Sequence, residues 1–199
     1  MKVPLDFYIR DDVVQISREL LGKVLCTRID GQVSKAIITE TEAYAGIGDK
    51  ASHAYGDRRT ARTEPMYGQG GQAYVYLCYG IHHLFNVVTS ETEIPHAILI
   101  RAGRPFEGAD LMRVRRKKLK IDKSLLAGPG SIAQALGIIT AHSGTSLLGD
   151  EIWIEDHKYS FDKNEITIGP RVGIDYAKED AARLYRFIAK IDEPPRLTL

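Results

Sequence analysis

Glu42 is the first residue whose setting suggests chemistry. It lies in Ile37-Ile38-Thr39-Glu40-Thr41-Glu42-Ala43-Tyr44, an apolar strand pattern that runs into a glycine-containing loop. A carboxylate at a strand end beside a loop suits a general base, although a solvated face carrying Glu40 and Glu42 together would read the same way. Tyr79 stands with Gly80 between two strand patterns, at a hairpin tip where its own sheet cannot easily bury a large ring. An exposed ring on a rigid turn suits insertion into stacked bases; it would equally suit packing on an adjoining loop. Tyr74 and Tyr76 alternate with Val75, so both share one strand face and can either wall a pocket or fill a half-buried sheet.

His53 follows Glu42 in the loop, and His82 and His83 lie in the second hairpin strand. None shows the spacing of HExxH or Cys-x-x-Cys. Neighbours on a strand point to opposite faces, so His82 and His83 cannot share one ion without distortion. Gly68, Gly70 and Gly71 miss the phosphate-cradling P-loop pattern, no G-x-G-x-x-G follows a strand, and no Ser or Cys sits in a nucleophile elbow. The expectation is chemistry with neither metal nor organic cofactor.

The elements that must position these residues follow from patterning. Asp11 or Asp12 can cap a helix running to about Leu21, with Gly22 to end it. Lys23–Ile29 and Ala36–Tyr44 read as strands joined by Asp30-Gly31, placing Glu40, Glu42 and Tyr44 on one face. Residues 45–71 form a long polar loop, a length that is often functional. Tyr74–Cys78 and Ile81–Thr89 form the hairpin, and Ala97–Arg101 is an apolar strand ending in a charge. A helix is expected over Phe106–Leu119 and another over Ser131–Leu136, stopped by Gly137, with short strands at Glu151–Glu155 and Glu165–Ile168. The sum is an α+β single domain, a curved antiparallel β-sheet core with surrounding helices, with 192–199 as a loose tail.

The chain has 199 residues, 44% hydrophobic and 27% charged, enough apolar material for a core and too much for disorder. Its net charge of +1 gives no global signature of nucleic-acid binding. Locally, Arg58, Arg59 and Arg62 form one basic group, and Arg113, Arg115, Arg116, Lys117, Lys118 and Lys120 another. Two cysteines, Cys26 and Cys78, are too few for a disulfide framework. The opening MKVPLDFYIRDD has no signal-peptide character and no apolar run could span a bilayer, so an intracellular protein with no membrane partner is expected.

Taken together, ETEAYAGIGDKASHAYGDRRTARTEPMYGQGGQAYVYLCYGIHHLFNVV and AILIRAGRPFEGADLMRVRR, followed by GPGSIAQALGI and PRVGI, resemble the alkyladenine (3-methyladenine) DNA glycosylase family. The likeness runs from about Pro4 to Ile188. It implies a monomeric base-excision-repair enzyme that acts where the DNA is. Such an enzyme takes double-stranded DNA containing damaged purines, flips the lesion out, and hydrolyses its N-glycosidic bond without metal or cofactor. It further implies that Glu42 activates water and that Arg101 helps orient Glu42 and the water; a guanidinium so placed is also expected to lower the Glu42 pKa. Tyr44, His53 and Tyr76 would line the base pocket, and Tyr79 would intercalate. Asn86 would exclude normal guanine, and the backbone at Val172 would touch the base edge. Two positions depart from the family pattern: Ser131 where a lysine is common, and His83 where an aromatic residue is common. The rival readings are a hydrolase of small glycosides and a non-catalytic DNA-damage binder.

Overall fold

The computed structural model describes residues 1–159, 161 and 163–190; the expected loose tail at 192–199 lies outside them. The chain opens with a single helical turn, α1 (Leu5–Tyr8), and then α2 (Val13–Glu19). Asp12 caps α2 by accepting a hydrogen bond from the Gln15 amide at 2.8 Å, and Gly22 follows with φ of +82°. Eight strands succeed it: β1 (Val24–Ile29), β2 (Gln32–Ala45), β3 (Ala73–Cys78), β4 (His82–Thr89), β5 (His96–Glu107), β6 (Ile152–Glu155), β7 (Ile166–Gly169) and β8 (Arg186–Ala189). Helices α3 (Ala109–Arg115) and α4 (Pro129–Leu136) lie between β5 and β6.

All the strands belong to one antiparallel sheet in the order β3-β4-β5-β2-β1-β6, with β8 also on β2 and β7 on β8. The long strand β2 is its spine: its first half pairs with β1, its second half with β8, and β5 lies along the other side.

Two irregularities in the β2–β5 ladder create the functional face. Ile38 opposes Gly103 and Glu40 opposes Ala102, leaving Thr39 as an extra residue on β2; Thr41 then opposes Ile100, leaving Arg101 as an extra residue on β5. Each extra residue on a strand flips the side-chain alternation beyond it. Before Thr39, Ala36 and Ile38 point into the main core; after it, Thr41, Ala43 and Ala45 do so. Glu40, Glu42 and Tyr44 are thereby turned to the opposite face, where strict alternation from Ile38 would have pushed Glu42 into the apolar core.

The main core packs α2, α3 and α4 on the face carrying Val75, Phe85, Val87, Ile98 and Ile100. The other face, carrying Tyr74, Asn86, Leu99 and Arg101, is roofed by residues 45–71 and by the segment around 171–177. Three sequence expectations need correction. β5 does not end at Arg101 but runs on to Glu107. The helix expected over Phe106–Leu119 is only Ala109–Arg115, because Phe106 belongs to β5 and Lys117 takes a positive φ of +51° that breaks the helix. The strand β8 was not foreseen. No helix among the described residues is long and apolar enough to cross a membrane.

Candidate active site

On the roofed face the sheet and its cover enclose a cavity of about 430 Å³, walled by Tyr44, His53, Tyr74, Tyr76, Asn86 and Arg101, with Val172 and Tyr176 on the covering segment. Glu42 stands directly behind this wall, its side chain 0% exposed. Its Oε1 accepts from the Val172 amide at 2.8 Å; its Oε2 accepts from the Tyr44 hydroxyl at 2.9 Å and from Arg101 Nη1 at 3.3 Å. All three donors also line the cavity. Arg101 is itself steadied by Glu40 Oε1 at 2.8 Å, which Arg186 Nε reaches from β8 at 2.7 Å.

Burial pushes the Glu42 carboxyl above the usual carboxylate range, and the opposing pull of Arg101, the Val172 amide and Tyr44 does not cancel it. Arg101 acts in the expected direction, but desolvation outweighs it. Val172, whose backbone is expected to contact a base edge, gives its N–H to Glu42.

The aromatic walls are fixed in turn. His53 Nδ1 and the Tyr74 hydroxyl share a hydrogen bond of 2.8 Å, and the His53 ring stands edge-on to Tyr76 with centroids 4.6 Å apart. Burial, reinforced by the nearby charges of Arg62 and Arg58, lowers the His53 pKa to about 4, so this wall is neutral at pH 7. Asn86 is buried and donates from Nδ2 to the Tyr74 carbonyl at 3.1 Å. Tyr79, at the β3–β4 tip, is 91% exposed and has φ of +52°, a left-handed conformation that an aromatic residue rarely adopts.

The structure therefore gathers Glu42, Arg101, Tyr44, His53, Tyr76, Asn86 and Val172 about one cavity, with Tyr79 at its mouth. The chain matches the profile of the methylpurine-DNA glycosylase family over residues 6–193. Chlamydia abortus has a relative 48% identical over 190 residues, covering 95% of this chain and 98% of the relative. Clostridium acetobutylicum has one at 45% (96% and 95%), and Bacillus cytotoxicus one at 43% (94% and 95%). All three are provisionally named 3-methyladenine DNA glycosylases. This chain belongs to the methylpurine-DNA glycosylase family.

For a methylpurine-DNA glycosylase family member, the basic groups are less available than their spacing suggests. Arg59 is held by Glu64 and Glu93. Arg115 donates to Ser34 Oγ and the Ala135 carbonyl, and Arg116 to the Leu125 carbonyl and Gln134. These two arginines fasten α3 to its neighbours. Arg58, Arg62, Lys117 and Lys120 are exposed, and Arg62 lies over the Tyr76 ring at 4.8 Å. His82 packs against Gly130 while His83 Nδ1 accepts from the Thr140 amide, so the two take separate neighbours. Among the described residues no group of three His, Cys, Asp or Glu could hold a metal. Sequence reasoning missed Arg171, Asp49, Tyr176 and Arg186. Arg171 and Asp49 carried a signal, their places in the PRVGI and ETEAYAGIGDK motifs; Tyr176 and Arg186 lie outside the quoted motifs.

Proposed function

We propose that this protein is a monofunctional DNA glycosylase that acts as a monomer. It rotates an alkylated purine out of duplex DNA into the aromatic cavity and hydrolyses the bond to its sugar, leaving an abasic site. The observation that carries this reading is the placement of Glu42. It is a buried carboxylate held by Val172, Tyr44 and Arg101 at the wall of a ring-lined cavity whose mouth is marked by the bare ring of Tyr79.

A base stacked in a duplex is out of reach of any side chain, and extracting it costs a few kcal/mol. The Tyr79 ring, entering the gap, restores part of the lost stacking. In the cavity the purine lies among Tyr44, His53 and Tyr76. A purine alkylated at N3 or N7 is cationic, and an aromatic face adds roughly 0.5–2 kcal/mol for such a charge. The neutral His53 adds no opposing charge, and the buried Asn86 crowds a guanine amino group.

The positive charge also removes the need for an acid. As the C1′–N bond breaks, its electron pair stays with the purine, which leaves neutral. Water attacks C1′ of the oxocarbenium-like sugar, and Glu42 takes the proton that the water loses. For that, one Glu42 oxygen exchanges its Tyr44 or Arg101 donor for the water when substrate enters. Among the described residues no lysine lines the cavity, so no amine is placed there for a Schiff base and the expected product is an intact abasic strand.

The direct test is release of methylpurine from alkylated duplex DNA, compared with the same base in a free nucleoside and with borohydride trapping. Release from the duplex alone, with no trapped adduct, is expected. Equal release from the nucleoside would favour a small-glycoside hydrolase, binding without release a damage-recognition module, and a robust adduct a lyase.

A further inference from the structure

Behind the cavity wall lies a pair of charges that touches neither base nor water in the reaction described above. Arg171 and Asp49, both with side chains 0% exposed, meet in a two-pronged ion pair, Nη1 to Oδ2 at 2.5 Å and Nη2 to Oδ1 at 2.9 Å. Asp49 also accepts from the amides of Ala45 and Ala51 at 3.0 and 3.1 Å, and Arg171 donates to the carbonyls of Ala43 and Asp180 at 2.9 and 3.2 Å. The guanidinium lies over the Tyr44 ring at 4.8 Å and the Tyr185 ring at 5.3 Å, and its Nε is buried with no protein partner.

As a device for stability this is a poor choice. A buried ion pair gains little over apolar residues of similar volume, and an orphaned donor makes it worse. What it supplies is geometry. The residue after Arg171 is Val172, whose amide holds Glu42 Oε1; the ring under the guanidinium is Tyr44, whose hydroxyl holds Oε2. One side chain thus governs a donor to each oxygen of the same carboxylate.

We propose that the Arg171–Asp49 pair is a positioning device: it locks the turn at 170–173 and the Tyr44 ring so that both Glu42 oxygens stay oriented for water attack. This rests on the glycosylase reading above. The charged and titratable groups around Glu42 are Tyr44 and Glu40 on β2, Arg101 on β5, Arg186 on β8, and Arg171 itself. Loosening the pair weakens the hold of the Val172 amide, which pulls the Glu42 pKa down against burial. The pKa then rises. Glu42 must be ionised to accept a proton, so the acid limb of the rate profile moves to higher pH.

The test is single-turnover release of methylpurine from alkylated duplex across the acid-to-neutral range, for wild type, Asp49→Asn and Arg171→Lys, with melting temperature and lesion-duplex affinity measured on each. Asparagine keeps the shape of Asp49 without its charge, and lysine keeps the charge of Arg171 without its fork. Folded variants are expected to bind the lesion duplex as wild type does, and to show an acid limb raised by roughly one pH unit, as loss of a hydrogen bond to a charged group implies. An acid limb that stays in place, whether or not the maximal rate falls, overturns the proposal. Failure of both variants to fold also overturns it, because the pair would then be a structural staple. A wild type that releases nothing sinks the glycosylase reading itself, whereas an active wild type with unmoved variants sinks only the positioning role.

Discussion

Glu42 on β2 and Glu155 on the edge strand β6 are each ringed by three donors, yet they titrate in opposite directions. Glu155 accepts from Trp153 Nε1 and His157 Nε2, both at 2.9 Å, and from Lys35 Nζ at 3.2 Å. Burial pushes its pKa upward, but these hydrogen bonds and the Lys35 charge outweigh it and bring the pKa to about 2. At Glu42 a comparable donor set loses to burial. The difference is depth: the Glu155 side chain keeps 16% of its surface and Glu42 none. The neighbouring rings repeat the contrast. Trp153 is buried beneath Lys2 and Arg28, while Tyr79 stands bare on its tip. One region closes a sheet edge; the other holds a charge and a ring in places that serve folding badly, as expected of a site shaped for chemistry.

The largest effect that can break this contrast is expected from Glu42→Gln. Release of methylpurine should fall on the order of 10³-fold, the scale of a lost general base, with lesion binding retained. Stability should move the other way. A carboxylate whose folded pKa is raised is favoured by folding in its protonated form, so the ionised group costs stability once pH rises above its ordinary range. Neutral glutamine removes that cost, so thermal melting at neutral pH should rise, and the gain should fade as pH drops into the ordinary carboxylate range. A variant that melts lower and cleaves normally would make Glu42 a structural residue like Glu155.

Tyr79→Ala should have the next largest effect. Stacking of one ring on a base amounts to about 1–3 kcal/mol, so excision from duplex should fall roughly 10- to 100-fold. A single-stranded substrate, which leaves no gap to fill, should be little affected. Because the ring is 91% exposed, urea unfolding should shift by less than about 0.5 kcal/mol. Equal losses on both substrates would assign Tyr79 to the cavity rather than to the duplex.

Much of this was legible in the sequence, for local reasons. The Asp12 cap, the Asp30-Gly31 turn, the β3–β4 hairpin and the alternation of Tyr74 with Tyr76 are each set by neighbours a few residues apart. The grouping of Glu42 with Arg101 and Val172 came from family resemblance, since residues 59 and 130 positions apart leave no mark in spacing. The extra residues at Thr39 and Arg101 were invisible because a bulge is decided by the partner strand as much as by its own. Strand β8 was missed because its pairing to β2 and β7 is non-local. The Arg171–Asp49 pair spans 122 positions, so no local pattern links its two halves.

The smallest effect, and the one that sharpens the comparison most, is expected from Glu155→Gln. Three donors lose an ionised acceptor, and with partial exposure screening the interaction the loss should be about 1–2 kcal/mol, read by urea unfolding at neutral pH. Its pH dependence carries the sign opposite to that of Glu42. The Glu155 pKa is depressed from 4.5 to about 2 in the folded chain, so its stabilisation is complete above 4.5 and disappears as pH falls through that interval. Wild type and variant should therefore differ by a constant amount at neutral pH and converge on acidification toward pH 2. Base release by the folded variant should match wild type, since Glu155 bonds to no residue of the cavity wall. A stability difference that persists undiminished in acid would mean that glutamine is rejected for its shape rather than its missing charge. The donors around Glu155 would then not be what sets it apart from Glu42.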